Sequence, residues 1–192
     1  MKNLFLLLFL SSSMAAPWQL KKEQAGIKVY TRSVAGSNLD EFKGVATLPV
    51  SQEAIVAALK DVASLSKWLP DNKVARVLKQ SPNHIYYYSV TDAPFPVDDR
   101  DAILHFHFRP EGKNMRVSIE GLPDYLPEEE NRVRIPSLKG FWYLEPKGAE
   151  QTQVTYQVLA NPGGSIPAWL ANATAVDQPF ETLANLRDYL SK

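Results

Sequence analysis

The chain has 192 residues, with 21 basic and 21 acidic side chains, a formal net charge of zero and no cysteine. That balance argues against nucleic acid, which calls for a basic surface, and against a strong electrostatic membrane tether. It also means that an exported form holds its fold without disulfides, which a domain of this length can do.

The first residues read as a targeting segment. Lys2 supplies a positive n-region, Leu4 to Leu10 an apolar h-region, and Ser13-Met14-Ala15 a small-residue cleavage site. Residues 1–15 are therefore expected to be a signal peptide cut after Ala15, with 16–192 as the exported domain. The apolar run is far short of the roughly 18–20 residues that span a bilayer, which disfavours a membrane anchor. No cysteine follows it, so a lipoprotein is excluded and the expected location is the periplasm.

The elements then follow in order. Gly26 to Arg32 alternates as a strand, and Phe42, Gly44, Ala46 and Leu48 form one face of a second, ended by Pro49. Ser51 has the character of a helix N-cap, with Glu53 in the first turn and Ile55, Leu59 and Val62 at helical spacing, so Ser51 to Asp61 is expected to be an amphipathic helix. A short helical turn at Ser64 to Trp68 stops at Leu69-Pro70. Strands are expected at Val74–Lys79, Ile85–Thr91, Asp101–Arg109 and Asn114–Glu120, the last two joined as a hairpin by the polar turn Glu111 to Asn114. A loop from Leu122 to Asn131 precedes three more strands at Val133–Ile135, Gly140–Glu145 and Gln153–Ala160. From Ile166 the period becomes helical, with Trp169, Ala173, Val176, Phe180, Leu183 and Leu190 recurring and a kink expected near Asp177 from Pro179. No internal repeat or linker interrupts this order, so one domain is expected.

Two segments carry most of the information. One is the corner Ala93-Pro94-Phe95-Pro96-Val97-Asp98-Asp99-Arg100-Asp101, which feeds the apolar-faced strand holding Leu104, Phe106 and Phe108. The other is Asn161-Pro162-Gly163-Gly164, which leads through Pro167 and Trp169 into the last helix. In this order they resemble the START domain, the lipid-transfer fold related to steroidogenic acute regulatory protein, over roughly Trp18 to Lys192. The resemblance implies an α+β helix-grip fold: a curved antiparallel sheet wrapped around a long carboxyl-terminal helix, enclosing an apolar tunnel for one lipid or similar ligand.

On that reading the tunnel wall takes Trp68, Tyr86, Tyr88, Leu104, Phe106, Phe108, Val117, Trp142 and Tyr156 from the sheet side, and Trp169, Ala173, Val176 and Phe180 from the helix. The same apolar faces make a solid core if they pack directly on the helix; the resemblance selects the tunnel. The family's gate, the last helix plus a hairpin loop, falls here on Arg109, Gly112 and Asn114, with Gly163 and Gly164 as the hinge. Some sterol-type members place an acid–base pair inside the tunnel; here Leu104, Phe106 and Phe108 take the inward positions, so a sterol preference does not carry over.

Arg100 and Asp101 read as structural, with Arg100 expected to pair with a carboxylate and Asp98 or Asp99 capping the corner. His105 and His107 lie two apart on one strand face with no third ligand evident, so no metal site and no cofactor are expected. The expected function is binding and periplasmic carriage of one hydrophobic ligand by a monomer in transient contact with membranes, without enzymatic activity. The alternative is a helix-grip cyclase or hydrolase, which would need an inward acid or base.

Overall fold

The computed structural model describes residues 16–93 and 95–192; the expected signal peptide at 1–15 and Pro94 of the corner lie outside the described residues. The strands are β1 (Gln19–Gln24), β2 (Ile27–Ser33), β3 (Asp40–Leu48), β4 (Asn72–Ser81), β5 (His84–Thr91), β6 (Asp99–Glu111), β7 (Asn114–Gly121), β8 (Arg132–Arg134), β9 (Ser137–Gly148) and β10 (Gln151–Asn161). The helices are α1 (Gln52–Lys60) and α2 (Ala168–Leu190). Short 3-10 turns occupy Val62–Lys67 and Pro123–Tyr125.

The strands form one sheet in the order β1-β2-β3-β10-β9-β7-β6-β5-β4, with antiparallel neighbours throughout. β8 lies off this path and pairs in parallel with the start of β6. Register carries the inner face across the sheet. Ile85 opposes Phe106, Phe106 opposes Ile119, Val117 opposes Trp142, Trp142 opposes Tyr156, and Tyr156 opposes Gly44. Because side chains alternate along a strand, these positions share one face, and nearly all their side chains are buried in one core. This is the helix-grip α+β architecture.

Local chemistry explains the two helices. The Ser51 side chain accepts a hydrogen bond from the Ala54 amide at 3.2 Å, Glu53 lies in the first turn of α1 and Lys60 in the last, each complementing the helix dipole. Ile55, Ala58 and Leu59 are the buried residues of α1. α2 runs as one helix from Ala168 to Leu190 with Pro179, the residue expected to kink it, inside. Pro179 is itself buried, and a side chain at Gly44 of β3 would meet Leu183 at 2.8 Å and Pro179 at 3.3 Å. Glycine at this position is what lets the helix lie so close to the sheet.

β1 is an addition to the expected elements. Its sequence Gln19-Leu20-Lys21-Lys22-Glu23-Gln24 has no apolar face, and five of its six residues are exposed. It is an edge strand held by main-chain pairing to β2, which leaves no hydrophobic period to read.

Candidate functional site

Between the sheet and α2 lies a cavity of about 110 Å³, bordered by Trp68, Leu104, Phe106, Trp142, Tyr156 and Gln178 among others. It continues into an outer chamber of about 220 Å³ under the first half of α2, and the two share Thr91, Ile135, Leu138, Tyr156 and Gln178. The outer chamber reaches Asp40 and Phe42 at the start of β3, Ala160 near the end of β10, and Ala171 to Ala175 of α2. Its mouth is therefore at the end of the sheet where β6 and β9 begin and β5 and β10 finish.

The wall of the inner chamber is aromatic and uncharged. Trp142 stacks on Tyr156 with ring centroids 4.0 Å apart, and Trp68 meets Trp142 edge-on at 6.2 Å. Tyr87 packs edge-on against Phe106 at 5.1 Å. Burial raises the Tyr87 hydroxyl far above the usual phenol range and pushes Tyr156 up to about 12, with Gln178 beside Tyr156 opposing part of the shift. Both hydroxyls thus stay neutral. Among the described residues, no Lys, Arg, His or Glu borders either chamber, and Asp40 at the rim is the one carboxylate that does.

The corner that delivers α2 is tied by buried charge. Arg134 of β8 donates from Nε and Nη2 to the two oxygens of Asp101, each at 2.9 Å, with both side chains almost fully buried. Its remaining hydrogen bonds go to the carbonyls of Pro123, Leu126 and Pro127. Arg100 donates to the carbonyl of Pro162 at 3.3 Å and to that of Asp98. Gly163 and Gly164 have φ of +68° and +63°, a region that favours glycine, and a side chain at Gly163 would meet the Arg134 carbonyl at 3.1 Å.

No family model matches the chain. A crystal structure of the STAR-related lipid transfer protein (fragment 25–204) of Xanthomonas axonopodis is similar at a TM-score of 0.87 and 44% identity, covering 91% of this chain and 99% of that one. The uncharacterized protein PA1579 of Pseudomonas aeruginosa is 38% identical over 182 residues, which is 94% of this chain and 90% of its own. The chain belongs to the START, or STAR-related lipid transfer, family. More distantly, the phosphatidylcholine transfer protein of Rattus norvegicus is 27% identical over 168 residues, 83% of this chain and 77% of that one.

In this START domain, Leu104, Phe106, Trp142 and Tyr156 border the cavity from the strands, and Trp68 borders it from the end of the Val62–Lys67 turn. Phe108 and Val117 are buried in the same core without bordering either chamber; the Lys60 ammonium of α1 lies 5.0 Å over the Phe108 ring. Tyr86 and Tyr88 are on the opposite face. Tyr87 is directly opposite Leu104, so the parity of β5 turns its two neighbours outward. Tyr86 stacks on His105 at 4.3 Å, and the Tyr88 hydroxyl accepts from Arg132 at 2.7 Å. The near-continuous apolar run Ile85 to Val90 hides this parity; pairing with the clearer β6 pattern is what reveals it.

The helix phase also differs from expectation. Trp169 is 72% exposed and Ala173 is exposed, so neither is wall. Val176 and Phe180 are half-buried at the flank, with the Lys22 ammonium 4.1 Å over the Phe180 ring. The inward stripe is Ala175, Pro179, Thr182, Leu183 and Leu186, with Gln178 beside it at the cavity. At about 100° per residue, a one-residue error in phase carries a side chain to the helix flank.

Two further expectations are corrected. Arg109, Gly112 and Asn114 do not border the cavity. Their hairpin lies at the other end of β6, roughly 30 Å along the strand from Ala102, where Gln52 of α1 donates to the Lys113 carbonyl at 3.2 Å. Arg100 binds carbonyls rather than a carboxylate, because Arg134, brought alongside β6 by β8, takes Asp101 instead. The corner cap is Asp99, which accepts from the Ala93 amide at 3.2 Å. On the outer face, His84 joins His105 and His107: His84 Nδ1 is 2.9 Å from His105 Nε2, and the His84 and His107 rings stack at 4.3 Å. The rings lie parallel, and no group of three metal-ligating side chains converges among the described residues.

Proposed function

We propose that this START domain binds one hydrophobic ligand in the cavity beneath α2 and carries it across the periplasm. The observation that carries the reading is a cavity whose inner chamber is aromatic and uncharged, roofed by the half of α2 that has fewest buried side chains. Burial of apolar ligand surface, at roughly 25 cal/mol per Å² before ordering costs, supplies the driving force. The phosphatidylcholine transfer protein and the STAR-related lipid transfer protein among its relatives support a lipid as that ligand. The targeting segment read at 1–15 supports export. Apart from the neutral Tyr87 and Tyr156 hydroxyls, no acid or base lines the inner chamber among the described residues, which favours carriage over catalysis.

Exchange with a membrane takes place at the mouth. Phe95 is 98% exposed in the corner, and Trp169 and Leu170 are exposed in the first turn of α2. A cleft lined by Pro96, Val97, Ile166 and Leu170 separates the two segments. Two exposed aromatic side chains on segments that flank a lipid cavity suit the interfacial zone of a bilayer. Lifting the first half of α2 there, about the Gly163-Gly164 corner, opens the cavity to lipid while the rest of the helix stays on the sheet.

The test is native mass spectrometry of protein purified from a periplasmic fraction without detergent, followed by lipid transfer between donor and acceptor vesicles. One co-purifying lipid per chain and transfer that drops in Trp169→Ser are the expected results. A protein that carries no lipid and takes none from vesicles overturns the reading.

A further inference from the structure

Five buried side-chain polar atoms lack a hydrogen-bond partner among the described residues, and two of them belong to residues that border the cavity: Trp68 Nε1 and Gln178 Oε1. Trp68 is only 2% exposed. An indole N–H is a donor with no acceptor capacity, and a buried primary amide carries both functions. Leaving such groups unmade inside an apolar wall costs free energy that a ligand oxygen recovers. They lie at the two ends of an aromatic run in which Trp68 meets Trp142, Trp142 stacks on Tyr156, and Tyr156 has Gln178 beside it.

A phosphate in this space would need a cation. Among the described residues none borders either chamber, and the neutral Tyr87 and Tyr156 hydroxyls do not supply one. The buried guanidinium of Arg100 lines the separate cleft between the corner and α2, and that of Arg134 is taken up by Asp101. Desolvating a phosphate without such a partner is strongly unfavourable. Asp40 at the rim adds repulsion.

Building on the carrier reading above, we propose that the ligand is an uncharged lipid of the acylglycerol class. An ester carbonyl accepts from Trp68 Nε1, a hydroxyl meets the Gln178 amide, and the acyl chain fills the aromatic wall. Phospholipids are the matrix from which it is drawn and not the cargo. Taken together, the two continuous chambers reach only the lower end of typical ligand pockets, about 300–1,000 Å³, so a compact neutral head with its chains led under α2 fits the space better than a solvated phosphodiester.

The experiment incubates the mature protein with phosphatidylcholine vesicles containing dioleoylglycerol, re-isolates it, and identifies bound lipid by mass spectrometry. Wild type is expected to load dioleoylglycerol and to leave phosphatidylcholine behind. Trp68→Phe keeps a ring and removes the N–H; Gln178→Met keeps length and removes the amide. Each is expected to weaken dioleoylglycerol binding about tenfold. Gln178→Met is expected to leave the ligand-free protein folded, since Oε1 has no partner there and the loss is confined to the contact of the amide with Tyr156. Preferential loading of phosphatidylcholine, or unchanged dioleoylglycerol binding in Gln178→Met, overturns the inference and leaves the carrier reading standing. A protein that loads neither lipid overturns both.

Discussion

The two halves of α2 are held by different physics. From Pro179 onward the helix buries Pro179, Thr182, Leu183 and Leu186, and Gly44 lets it lie against β3. From Ala168 to Gln178, Ala175 is the one buried residue. Polar contacts hold this half instead: Asn172 accepts from the Asp40 amide at 2.9 Å and donates to the Asn38 carbonyl at 3.1 Å, and Lys22 pairs with Asp177 at 2.9 Å. Buried apolar side chains are worth several times an exposed polar contact. The half that roofs the cavity is therefore the half that can lift, and the other half keeps the fold together while it does.

The largest expected effect comes from breaking the corner that sets the first half of α2 in place. Arg134→Met leaves Asp101 buried and unpaired and should cost about 3–5 kcal/mol in urea unfolding. A cost near zero would mean that the pair is dispensable to the corner. Next, Leu183→Ala removes a fully buried side chain from the anchored half and should cost about 3 kcal/mol. Hydrogen exchange should then rise along the whole helix, because the anchor serves both halves.

Asn172→Ala sharpens the contrast from the other side. It should lower stability by about 1 kcal/mol or less yet speed amide exchange in Ala168–Asp177 and raise the rate of lipid uptake. Equal acceleration beyond Pro179 would show that the helix moves as one body. The smallest effect concerns the outer face of the sheet, which supplies a control. Burial first, and the neighbouring His84 second, lower the His105 and His107 pKa values. The folded state thus binds fewer protons than the unfolded chain, whose histidines titrate near about 6.5. This contribution is present above that pH and is lost as pH falls through the lower folded values, so the melting temperature should drop modestly below about pH 6.5. His84→Asn should flatten the slope. A matching pH dependence of lipid uptake would couple this face to the roof of the cavity and weaken the comparison.

Much of this was legible in residue patterns, because the informative elements are each half-buried and local. The alternation of Ala102, Leu104, Phe106 and Phe108, and of Met115, Val117 and Ile119, marks strands with one apolar face, and Ser51 with Glu53 marks the start of α1. The family resemblance rested on the order of the two corners, and the similarity to the Xanthomonas protein supports it. β1 was not legible, since an edge strand polar on both sides is held by main-chain hydrogen bonds that leave no side-chain period.

By itself, then, the sequence determined the fold class, the inner faces of the long strands and the absence of any obvious inward charge near Leu104. The fold class follows from the family resemblance carried by the two corners, and the inner faces of β6 and β7 from local periodicity, which records burial directly. Tertiary structure alone decided four things: that Tyr87 and not its neighbours faces inward, that Gln178 and not Ala173 reaches the cavity, that Arg134 and not Arg100 takes Asp101, and that the mouth is at the corner rather than the Arg109–Asn114 hairpin. Each depends on strand register, helix rotation or a pairing 33 residues apart. Packing sets these by choosing among phases that the chain, taken locally, leaves nearly equal in energy.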